Sequence, residues 1–423
     1  MSHIAIVGAG ITGVTAAYSL VTRGYDVTVI DRCRYPAMDT SFANGGQLSA
    51  CNAEVWNRVS TILKGLKWML RKDAPLLVNP MPSWHKYSWM AEFVAAIPHY
   101  RANTIETTRL AIAARQHLFS VAETENIDFD LEKRGILHIF HDKKSFDASA
   151  RVNTLLTEGG LERHAVTPAE MRDIEPALMG SYFGGFFTPS DSTGDIHKFT
   201  RGLAEACQRR GVRFIQDAIV TRIARAGGDD AAGFVIHYTP ALPDAGLAPE
   251  QTAAEQDLKA DAVVICAGAA SRNLAASLGD RLNIYPVKGY SITVHSDRAE
   301  SQAATPTVSL LDEAAKIVTS RLGVNRLRVA GTAEYNGFNR DIRADRIQPL
   351  IDWVRREFPA VDTDRAVPWT GLRPMMPDMM PRVRRGRVKG VFYNTGHGHL
   401  GWTLSAATAE LIAEQVKADY PVA

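Results

Sequence analysis

Three glycines near the start of the chain, Gly8, Gly10 and Gly13, have the Gly-x-Gly-x-x-Gly spacing of a phosphate-binding turn. The first glycine allows a tight bend, the second lets the backbone approach a pyrophosphate, and the third lets a helix pack closely on a strand. Asp31 follows Gly13 by 18 residues and can accept hydrogen bonds from a ribose diol. We therefore predict a dinucleotide site; the alternative is a tight turn without a ligand. The site also includes the neighbours of these residues, Ile11, Thr12 and Arg32.

A second glycine-rich turn lies near the end of the chain, where Gly396, Gly398 and Gly401 follow the apolar run 391–393. Glycines let the backbone come close to a planar ligand. A helix that begins after Gly401 would direct its N–H groups and positive dipole at a ligand with negative charge, such as a reduced flavin ring. The alternative is a strand-to-helix turn that needs glycine only for its backbone angles.

Strand and helix patterns surround both turns. Residues 3–7 and 26–31 are apolar and β-branched, and residues 16–20 between them favour a helix. Helical spacing returns at 197–210, and 261–269 reads as another apolar strand that ends in small residues. These segments predict one Rossmann-like parallel sheet, interrupted by a long excursion.

The excursion has a different pattern. Residues 284–295 and 316–334 predict antiparallel strands, with a hairpin turn at Gly323. Residues 60–118 favour helices, and residues 225–258 favour a loop or a hairpin. We predict an α/β fold in which an α+β substrate domain, built on an antiparallel sheet, is inserted into the Rossmann-like domain.

Composition excludes several classes of function. The 423 residues carry a net charge of +2, which provides no field to attract nucleic acid. The four cysteines form no Cys-x-x-Cys pair, so we predict neither a metal site nor disulfides, and a reducing compartment. Residues 2–22 carry no Asp, Glu, Lys or Arg, but three glycines interrupt them and no Lys or Arg precedes them, unlike a signal peptide or a membrane anchor.

Four sequence blocks carry a resemblance that covers almost the whole chain. They are Thr40–Gln47, Tyr285–Ser291, Trp369–Met375 and Gly396–Thr403. In order and spacing the chain resembles the D-amino-acid-oxidase-like family of FAD amine oxidoreductases, and within it the bacterial D-amino acid dehydrogenases. The resemblance implies non-covalently bound FAD rather than a nicotinamide, with the isoalloxazine ring at the boundary between the two domains.

The resemblance assigns further residues to FAD. In the family, one segment runs along the ribityl chain and flavin, one residue contacts adenine, a small turn faces the pyrophosphate, and the last turn meets the ring. The corresponding residues of this chain are Ser41, Asn44, Gly45 and Gln47; Val220; Ala267 and Gly268; and Gly396, Gly398, His399, Leu400, Gly401 and Thr403.

The same resemblance divides the chain into two domains. The predicted FAD-binding domain comprises 1–50, 195–275 and 385–423, and the predicted substrate domain comprises 51–194 and 276–384.

Arg373 is the predicted substrate residue, because a guanidinium binds a carboxylate through two parallel hydrogen bonds and the family uses this arginine in that way. The alternative is a salt-bridged structural arginine. Lys288 and Tyr290 lie on the strand that matches the family's pocket wall, and either could contact substrate or flavin; the alternative for Tyr290 is a packed aromatic with a satisfied hydroxyl. Two residues depart from the family: His399 stands where threonine is common, and Met379 replaces a glycine, which argues against a positive φ there.

The resemblance implies oxidative deamination of D-amino acids to 2-oxo acids and ammonia. A hydride would pass from Cα to flavin N5, and the electrons would then pass to a quinone or another respiratory acceptor. An oxygen-using glycine, sarcosine or proline-type amine oxidase is the first alternative. A nicotinamide dehydrogenase and a flavoprotein without turnover are the others.

The implied location is the cytoplasm, with peripheral contact to the cytoplasmic face of the inner membrane left open. Two stretches could make that contact. One is the basic and aromatic stretch 64–89, whose alternative role is to cover the substrate pocket. The other is the basic run 382–389, whose alternative is a solvated loop.

Overall fold

Short apolar strands and longer helices alternate through the computed structural model, which describes residues 1–68, 75–227, 233–241 and 254–422. The strands are β1 His3–Val7, β2 Asp26–Ile30, β3 Gln47–Leu48, β4 Leu76–Val78, β5 Ile136–Phe140, β6 His164–Val166, β7 Gly184–Thr188, β8 Ser192–Thr193, β9 Arg213–Ile215, β10 Ala218–Arg225, β11 Phe234–Pro240, β12 Gln256–Ala260, β13 Ala262–Ile265, β14 Tyr285–His295, β15 Ser309–Asp312, β16 Ile317–Leu322, β17 Arg326–Tyr335, β18 Ala366–Met375, β19 Arg382–Arg385 and β20 Val391–Thr395. The α-helices are α1 Ile11–Val21, α2 Val59–Trp68, α3 Trp84–Ala95, α4 Tyr100–Thr124, α5 Lys143–Glu158, α6 Pro168–Ile174, α7 Ile196–Arg209, α8 Ser271–Ser277, α9 Ala299–Ala304, α10 Ala344–Glu357 and α11 Gly401–Asp419.

The first strand lies inside a six-stranded sheet of order β19-β20-β13-β1-β2-β9, which is parallel except for the β19–β20 pair. Its central strands are apolar on both faces because both faces are covered. Ile4 and Ile6 share one buried cluster with residues of α1, α4, α7 and α11. Ala5 and Val7 share another with residues of the antiparallel sheet β10-β11-β12.

The second large sheet has nine strands, in the order β18-β14-β17-β16-β15-β5-β7-β6 with β4 beside β17. Most neighbours are antiparallel, but β15 and β5 are parallel, as are β17 and β4, so the sheet is mixed. Helix α10 packs on it through Leu350, Trp353 and Val354. The hairpin predicted at Gly323 is confirmed: β16 and β17 pair antiparallel, and Gly323 has a φ of 65°.

The predicted fold class is confirmed, with a mixed rather than a purely antiparallel second sheet. The strands of the parallel sheet come from the three predicted segments, except that β19 begins at Arg382, before residue 385. The two-domain boundaries stay a prediction. Residues 60–118 are helical as expected apart from β4, but 69–74 lie outside the described residues. The segment 225–258 contributes antiparallel strands, and its residues 228–232 and 242–253 lie outside the description.

The first glycine turn depends on a backbone contact that only glycine permits. A Cβ built on Gly13 would lie 1.8 Å from the carbonyl oxygen of Gly8, which itself has a φ of 110°. At Gly10 the nearest atom to such a Cβ is Ser41 Oγ, at an ordinary 3.5 Å. The third glycine therefore sets how closely α1 approaches β1, as the sequence pattern predicted.

No helix in the described ranges is both long enough and apolar enough to cross a membrane.

We expect Gly13→Ala to lower the free energy of unfolding by about 3 kcal/mol, because the methyl group must push α1 away from β1. Gly10→Ala is the matched control, and it should change the stability of the FAD-free protein by less than about 1 kcal/mol. Urea unfolding followed by circular dichroism measures both variants. Equal effects of the two substitutions would contradict this account of the turn.

Candidate functional site

A cavity of about 1300 Å³ lies between the two large sheets and extends from the first glycine turn to the last. Most of the residues predicted to bind FAD line it: Gly8, Gly10, Ile11, Thr12, Asp31, Arg32, Ser41, Asn44, Gly45, Gln47, Val220, Ala267, Gly268, Gly396, Gly398, His399 and Gly401. Their assignment to FAD stays a prediction, but the folded chain brings them to one surface.

Three of the predicted cofactor residues do not line the cavity. Gly13 lies where α1 packs against the carbonyl group of Gly8. Leu400 is buried in an apolar cluster with Ala50 and Leu404. Thr403 accepts a hydrogen bond through Oγ1 from the backbone N–H of Ser49, at 3.2 Å. These three residues support the cavity wall from behind.

At the end near the first turn, the backbone and Asp31 form a polar cradle. Helix α1 begins at Ile11 with no side-chain cap from Gly10, and the N–H of Ile11 donates to Ser41 Oγ at 3.0 Å. The Asp31 carboxylate accepts from the N–H groups of Ala9, at 2.5 Å, and Cys33, at 2.7 Å. Burial raises the pKa of Asp31, although these two donors oppose the shift. The cradle combines N–H donors for phosphate with a carboxylate for a ribose diol, which fits the dinucleotide end of FAD.

In the middle of the cavity, the segment 43–46 is tied to the nine-stranded sheet through its carbonyl groups. Ser291 donates to the carbonyl of Ala43 at 2.7 Å, Ser320 to that of Gly45 at 2.7 Å, and Arg328 to that of Asn44 at 3.0 Å. The sequence analysis did not single out the three donors, because serine and arginine on a strand give no signal of what they contact.

At the ring end, the glycines make room for methionines. A Cβ on Gly396 would lie 2.6 Å from Met376 Cγ, and one on Gly398 would lie 2.9 Å from Met375 Sδ; both glycines have a positive φ. Helix α11 begins at Gly401, as predicted, with its N-terminus at the cavity. The helix therefore offers its N–H groups and positive dipole to whatever ring occupies this end.

Arg373 lies on β18, and its guanidinium group covers Gly289 of the neighbouring strand β14. A Cβ at Gly289 would lie 2.4 Å from Arg373 Nη2, so glycine is required there. Arg373 Nη1 donates to the carbonyl of Thr332 at 2.9 Å. Among the described residues, no carboxylate lies within 4 Å of this guanidinium. Burial lowers the pKa of Arg373 to about 10, which leaves it charged at neutral pH.

The environment of Lys288 differs from the one predicted, whereas Tyr290 matches its alternative, a packed aromatic with a satisfied hydroxyl. Lys288 is fully buried, does not line the cavity, and forms an ion pair with Glu334 at 3.1 Å. Its Nζ also donates to Asn339 Oδ1 at 2.6 Å. Tyr290 borders the cavity, but its hydroxyl donates to Glu334 at 2.7 Å. The position of Lys288 does not support a contact with substrate, and Tyr290 offers the cavity its ring rather than its hydroxyl.

The two histidines of the last turn are neutral. His399 stacks on Trp56, with ring centroids 4.6 Å apart, and its Nε2 lies 3.2 Å from the carbonyl of Asn52. His397 contacts Thr408 Oγ1 through Nε2 at 3.0 Å. Burial lowers the pKa of His399 to about 4 and that of His397 to about 3. Trp56, which the sequence analysis did not assign, thus forms part of the cavity wall beside the ring end.

The expectation for Met379 was wrong. Met379 has a φ of 64°, which is the left-handed conformation that we did not expect of a residue other than glycine. Its N–H donates to the carbonyl of Met376 at 3.1 Å. The side chain is buried with Trp89, Tyr285 and Tyr335. Burying a methionine stabilises by about 1.5–3 kcal/mol, which offsets the cost of about 1–2 kcal/mol for a left-handed residue. The turn therefore keeps its shape without glycine.

Comparisons with known proteins were made over the whole chain. A family profile described as DAO, FAD dependent oxidoreductase, matches residues 3–415. "D-amino acid dehydrogenase 3" of Mesorhizobium japonicum is 62% identical over 422 residues, covering 100% of this chain and 98% of the relative. The "D-amino acid dehydrogenase" of Paramagnetospirillum magneticum is 39% identical over 424 residues, covering 98% and 94%.

Among solved structures, glycine oxidase from Geobacillus kaustophilus matches with a TM-score of 0.74 at 20% identity, covering 100% of this chain and 96% of that one. L-proline dehydrogenase from P. horikoshii matches with a TM-score of 0.71 at 16% identity, covering 99% and 94%. At these identities the two structures show a shared fold.

The lowered histidine pKa values predict a loss of stability in acid. His397 stays neutral in the folded state, but it takes a proton at its ordinary pKa near 6.5 once the chain unfolds. The free energy of unfolding should therefore fall as the pH drops from about 6.5, and His397 should account for about 2 kcal/mol of that loss at pH 5. Urea unfolding at pH 7.5, 6 and 5 measures the slope.

His397→Asn should flatten that slope, whereas His164→Gln, at an exposed position, should leave it unchanged. A slope that is identical in the native protein and His397→Asn would contradict the assignment.

Proposed function

This chain belongs to the DAO family of FAD-dependent oxidoreductases, and we propose that it deaminates D-amino acids oxidatively to 2-oxo acids and ammonia. Family membership confirms the prediction of FAD over a nicotinamide cofactor. The relatives named D-amino acid dehydrogenase match over nearly their whole length, at 62% and 39% identity.

The observation that carries the proposal is the unpaired guanidinium of Arg373. This half-buried cation has no carboxylate partner among the described residues, so its partial desolvation is uncompensated, and an anionic ligand would offset that cost. An amino acid supplies a carboxylate whose two oxygens match the planar fork of arginine. The carbonyl of Thr332 accepts a hydrogen bond from Nη1 at 2.9 Å, which restrains the orientation of the guanidinium plane.

The remaining residues of the site act by orientation and electrostatics. FAD, when bound, supplies the hydride acceptor. The N-terminus of α11 would stabilise negative charge that develops at the ring end of the site. Gly289 leaves room for the guanidinium, and the stacked pair of Trp56 and His399 shapes the wall beside it. His397 and His399 are neutral above pH 5, so neither adds a charge that would repel an ammonium group.

The alternative within the family is an oxygen-using glycine, sarcosine or proline-type amine oxidase, and one structural neighbour, from Geobacillus kaustophilus, is named glycine oxidase. The glycine oxidase is 20% identical to this chain, whereas the two relatives named D-amino acid dehydrogenase are 62% and 39% identical. We therefore retain the D-amino acid dehydrogenase as the proposed function. Peroxide production at the rate of substrate consumption in air would favour the alternative.

We expect D-amino acids to bleach the bound flavin under anaerobic conditions, and Arg373→Met to lower the second-order rate constant of bleaching by about a hundredfold or more. The rate constant of Arg373→Lys should lie between those of the native protein and Arg373→Met, because lysine keeps the charge but cannot form two parallel hydrogen bonds. Stopped-flow absorbance of the flavin measures all three proteins.

Arg365→Met, which removes an exposed arginine paired with Asp297, is the control and should react like the native protein. Bleaching by glycine or sarcosine without bleaching by any D-amino acid would contradict the proposed substrate class.

We further propose that the electrons pass to a quinone or related respiratory acceptor, and that the chain meets a membrane peripherally through α2, α3 and the residues between them. Trp84 and Met81 are 82% and 70% exposed, and Val59 and Leu63 are more than half exposed. Other residues of this part line the cavity, so the exposed surface lies beside it: Lys64, Gly65, Trp68, Pro75, Leu76, Val78, Trp89, Met90, Phe93 and Val94. The stretch continues through 69–72, which lie outside the described residues.

The basic run 382–389 gives less support to such a contact. Arg382 pairs with Asp378 at 2.8 Å, Arg384 with Asp280 at 3.4 Å, and Arg385 with Asp419 at 2.7 Å. Cations that already have partners contribute little to the attraction of anionic lipid.

Trp84→Asp should weaken binding to lipid vesicles roughly tenfold, because an exposed indole loses about 1.5–3 kcal/mol of apolar burial when it is replaced. Val324→Asp, which changes another exposed apolar residue, on the β16–β17 turn, is the matched control. Co-sedimentation with vesicles that contain or lack anionic lipid measures the binding. No binding by the native protein, or equal loss in both variants, would contradict this surface.

A further inference from the structure

Two glycines lie directly opposite each other on neighbouring strands of the nine-stranded sheet. Gly371 of β18 pairs with Gly289 of β14, and both line the cavity. A Cβ built on Gly289 would lie 2.4 Å from Arg373 Nη2. A Cβ built on Gly371 would lie 2.2 Å from Trp369 Cη2. The glycine pair therefore lets a guanidinium group and the edge of an indole lie close against the backbone of the sheet.

The indole of Trp369 lies near the group that is proposed to bind the substrate carboxylate. Directly opposite residues of an antiparallel pair share one face, and their Cβ positions are about 4.5–5.5 Å apart. Together with the two distances above, this separation places Trp369 Cη2 within about 10 Å of the guanidinium of Arg373. An amino acid whose carboxylate binds Arg373 can therefore reach the indole with a long side chain.

The shared face of β14 and β18 carries a single charge. Alternate residues of a strand lie on one face. On this face the two strands place Val287, Gly289, Ser291, Trp369, Gly371 and Arg373, of which only Arg373 is charged. Ser291, directly opposite Trp369, donates to the carbonyl of Ala43 at 2.7 Å. The face therefore also contacts the segment 43–46, part of which is predicted to run along the flavin.

The ring of Trp369 has no aromatic or hydrogen-bonding partner among the described residues. Trp369 is partly exposed and lines the cavity. By contrast, Trp89 donates from Nε1 to the carbonyl of Met375 at 2.8 Å, and its ring lies 5.5 Å from that of Tyr335. An apolar ring that is exposed inside a cavity is stabilised when an apolar group covers it and removes its contact with water. Trp369 therefore offers a surface to an apolar side chain.

We propose that Trp369 receives the side chain of the substrate, and that the preferred substrates are D-amino acids with a large apolar side chain, such as D-phenylalanine and D-leucine. This inference rests on the proposed function, in which Arg373 binds the α-carboxylate. With Arg373 occupied in this way, the shared face of β14 and β18 has no charged group left for an ionic side chain. Trp369 determines specificity and takes no part in bond breaking.

The test compares the rates at which different substrates reduce the flavin of the holoenzyme under anaerobic conditions, measured by stopped-flow absorbance. D-phenylalanine and D-alanine differ by a phenyl group, and D-leucine and D-asparagine have nearly the same shape but differ in polarity. The burial of a large apolar side chain corresponds to a preference of about 10- to 100-fold for D-phenylalanine over D-alanine. D-leucine should exceed D-asparagine by about tenfold or more.

Variants of Trp369 test whether this residue is the source of the preference. Trp369→Ala should bring the ratio of D-phenylalanine to D-alanine within about threefold of one, while the rate constant with D-alanine changes by less than about threefold. Trp369→Phe and Trp369→Leu should give intermediate ratios, because they keep part of the apolar surface. FAD content and thermal unfolding are measured for each variant.

Val367→Ala is the matched control. Val367 lies two residues earlier on β18, is 54% exposed and does not line the cavity, so this variant should keep the full preference. A ratio near one in the native enzyme overturns the proposal. A ratio that survives in Trp369→Ala, or in Trp369→Leu, also overturns it.

A binding measurement keeps this inference distinct from the proposed function. Propionate and 3-phenylpropionate are titrated into the holoenzyme, and the flavin spectrum reports binding without turnover. Tighter binding of 3-phenylpropionate that is lost in Trp369→Ala supports the role of Trp369 even if no D-amino acid reduces the flavin. Equal binding of the two acids by the native protein overturns it.

Discussion

The cavity depends on the hydrogen bonds by which the nine-stranded sheet holds the segment 43–46. Three consecutive carbonyl groups of this segment are taken by Ser291, Ser320 and Arg328. Because a buried carbonyl without a donor is costly, these bonds leave the segment little freedom to move away from the sheet. The first glycine turn contacts Ser41, two residues before this segment, through the N–H of Ile11. The stretch 41–46 is thus bonded both to the first glycine turn and to the nine-stranded sheet, and it lines the cavity.

The charged side chains around the cavity differ in whether they have a partner of opposite charge. Lys288 and Tyr290 share Glu334, and this buried group is internally satisfied. Arg163 is buried and Arg373 is half-buried, both line the same cavity, and among the described residues neither has a carboxylate in contact. The contrast separates the structural charges from those that await a ligand. A buried ion pair needs nothing further, whereas a lone guanidinium is compensated only when an anion arrives.

Some site predictions succeeded for local reasons and others did not. The glycine at position 13 could be interpreted from its spacing, because the close contact of α1 with Gly8 is a property of one turn. Met379 could not, since burial against Trp89, Tyr285 and Tyr335 decides whether its backbone conformation is tolerated. The environment of Lys288 could not be predicted either. Its place on a strand was predicted, but its partner Glu334 lies on β17, and the pairing of β14 with β17 determines the contact.

The sequence by itself determined the parallel sheet, both glycine turns, the β16–β17 hairpin and the membership in a family of FAD-dependent oxidoreductases. Each of these depends on short-range spacing or on blocks of consecutive residues, which can be read along the chain. Only the tertiary structure decided which charges are matched. Lys288, Glu334 and Arg373 are far apart in sequence, and no local pattern tells a paired cation from an unpaired one. Matching depends on distances between elements, which exist only once both sheets have closed around the cavity.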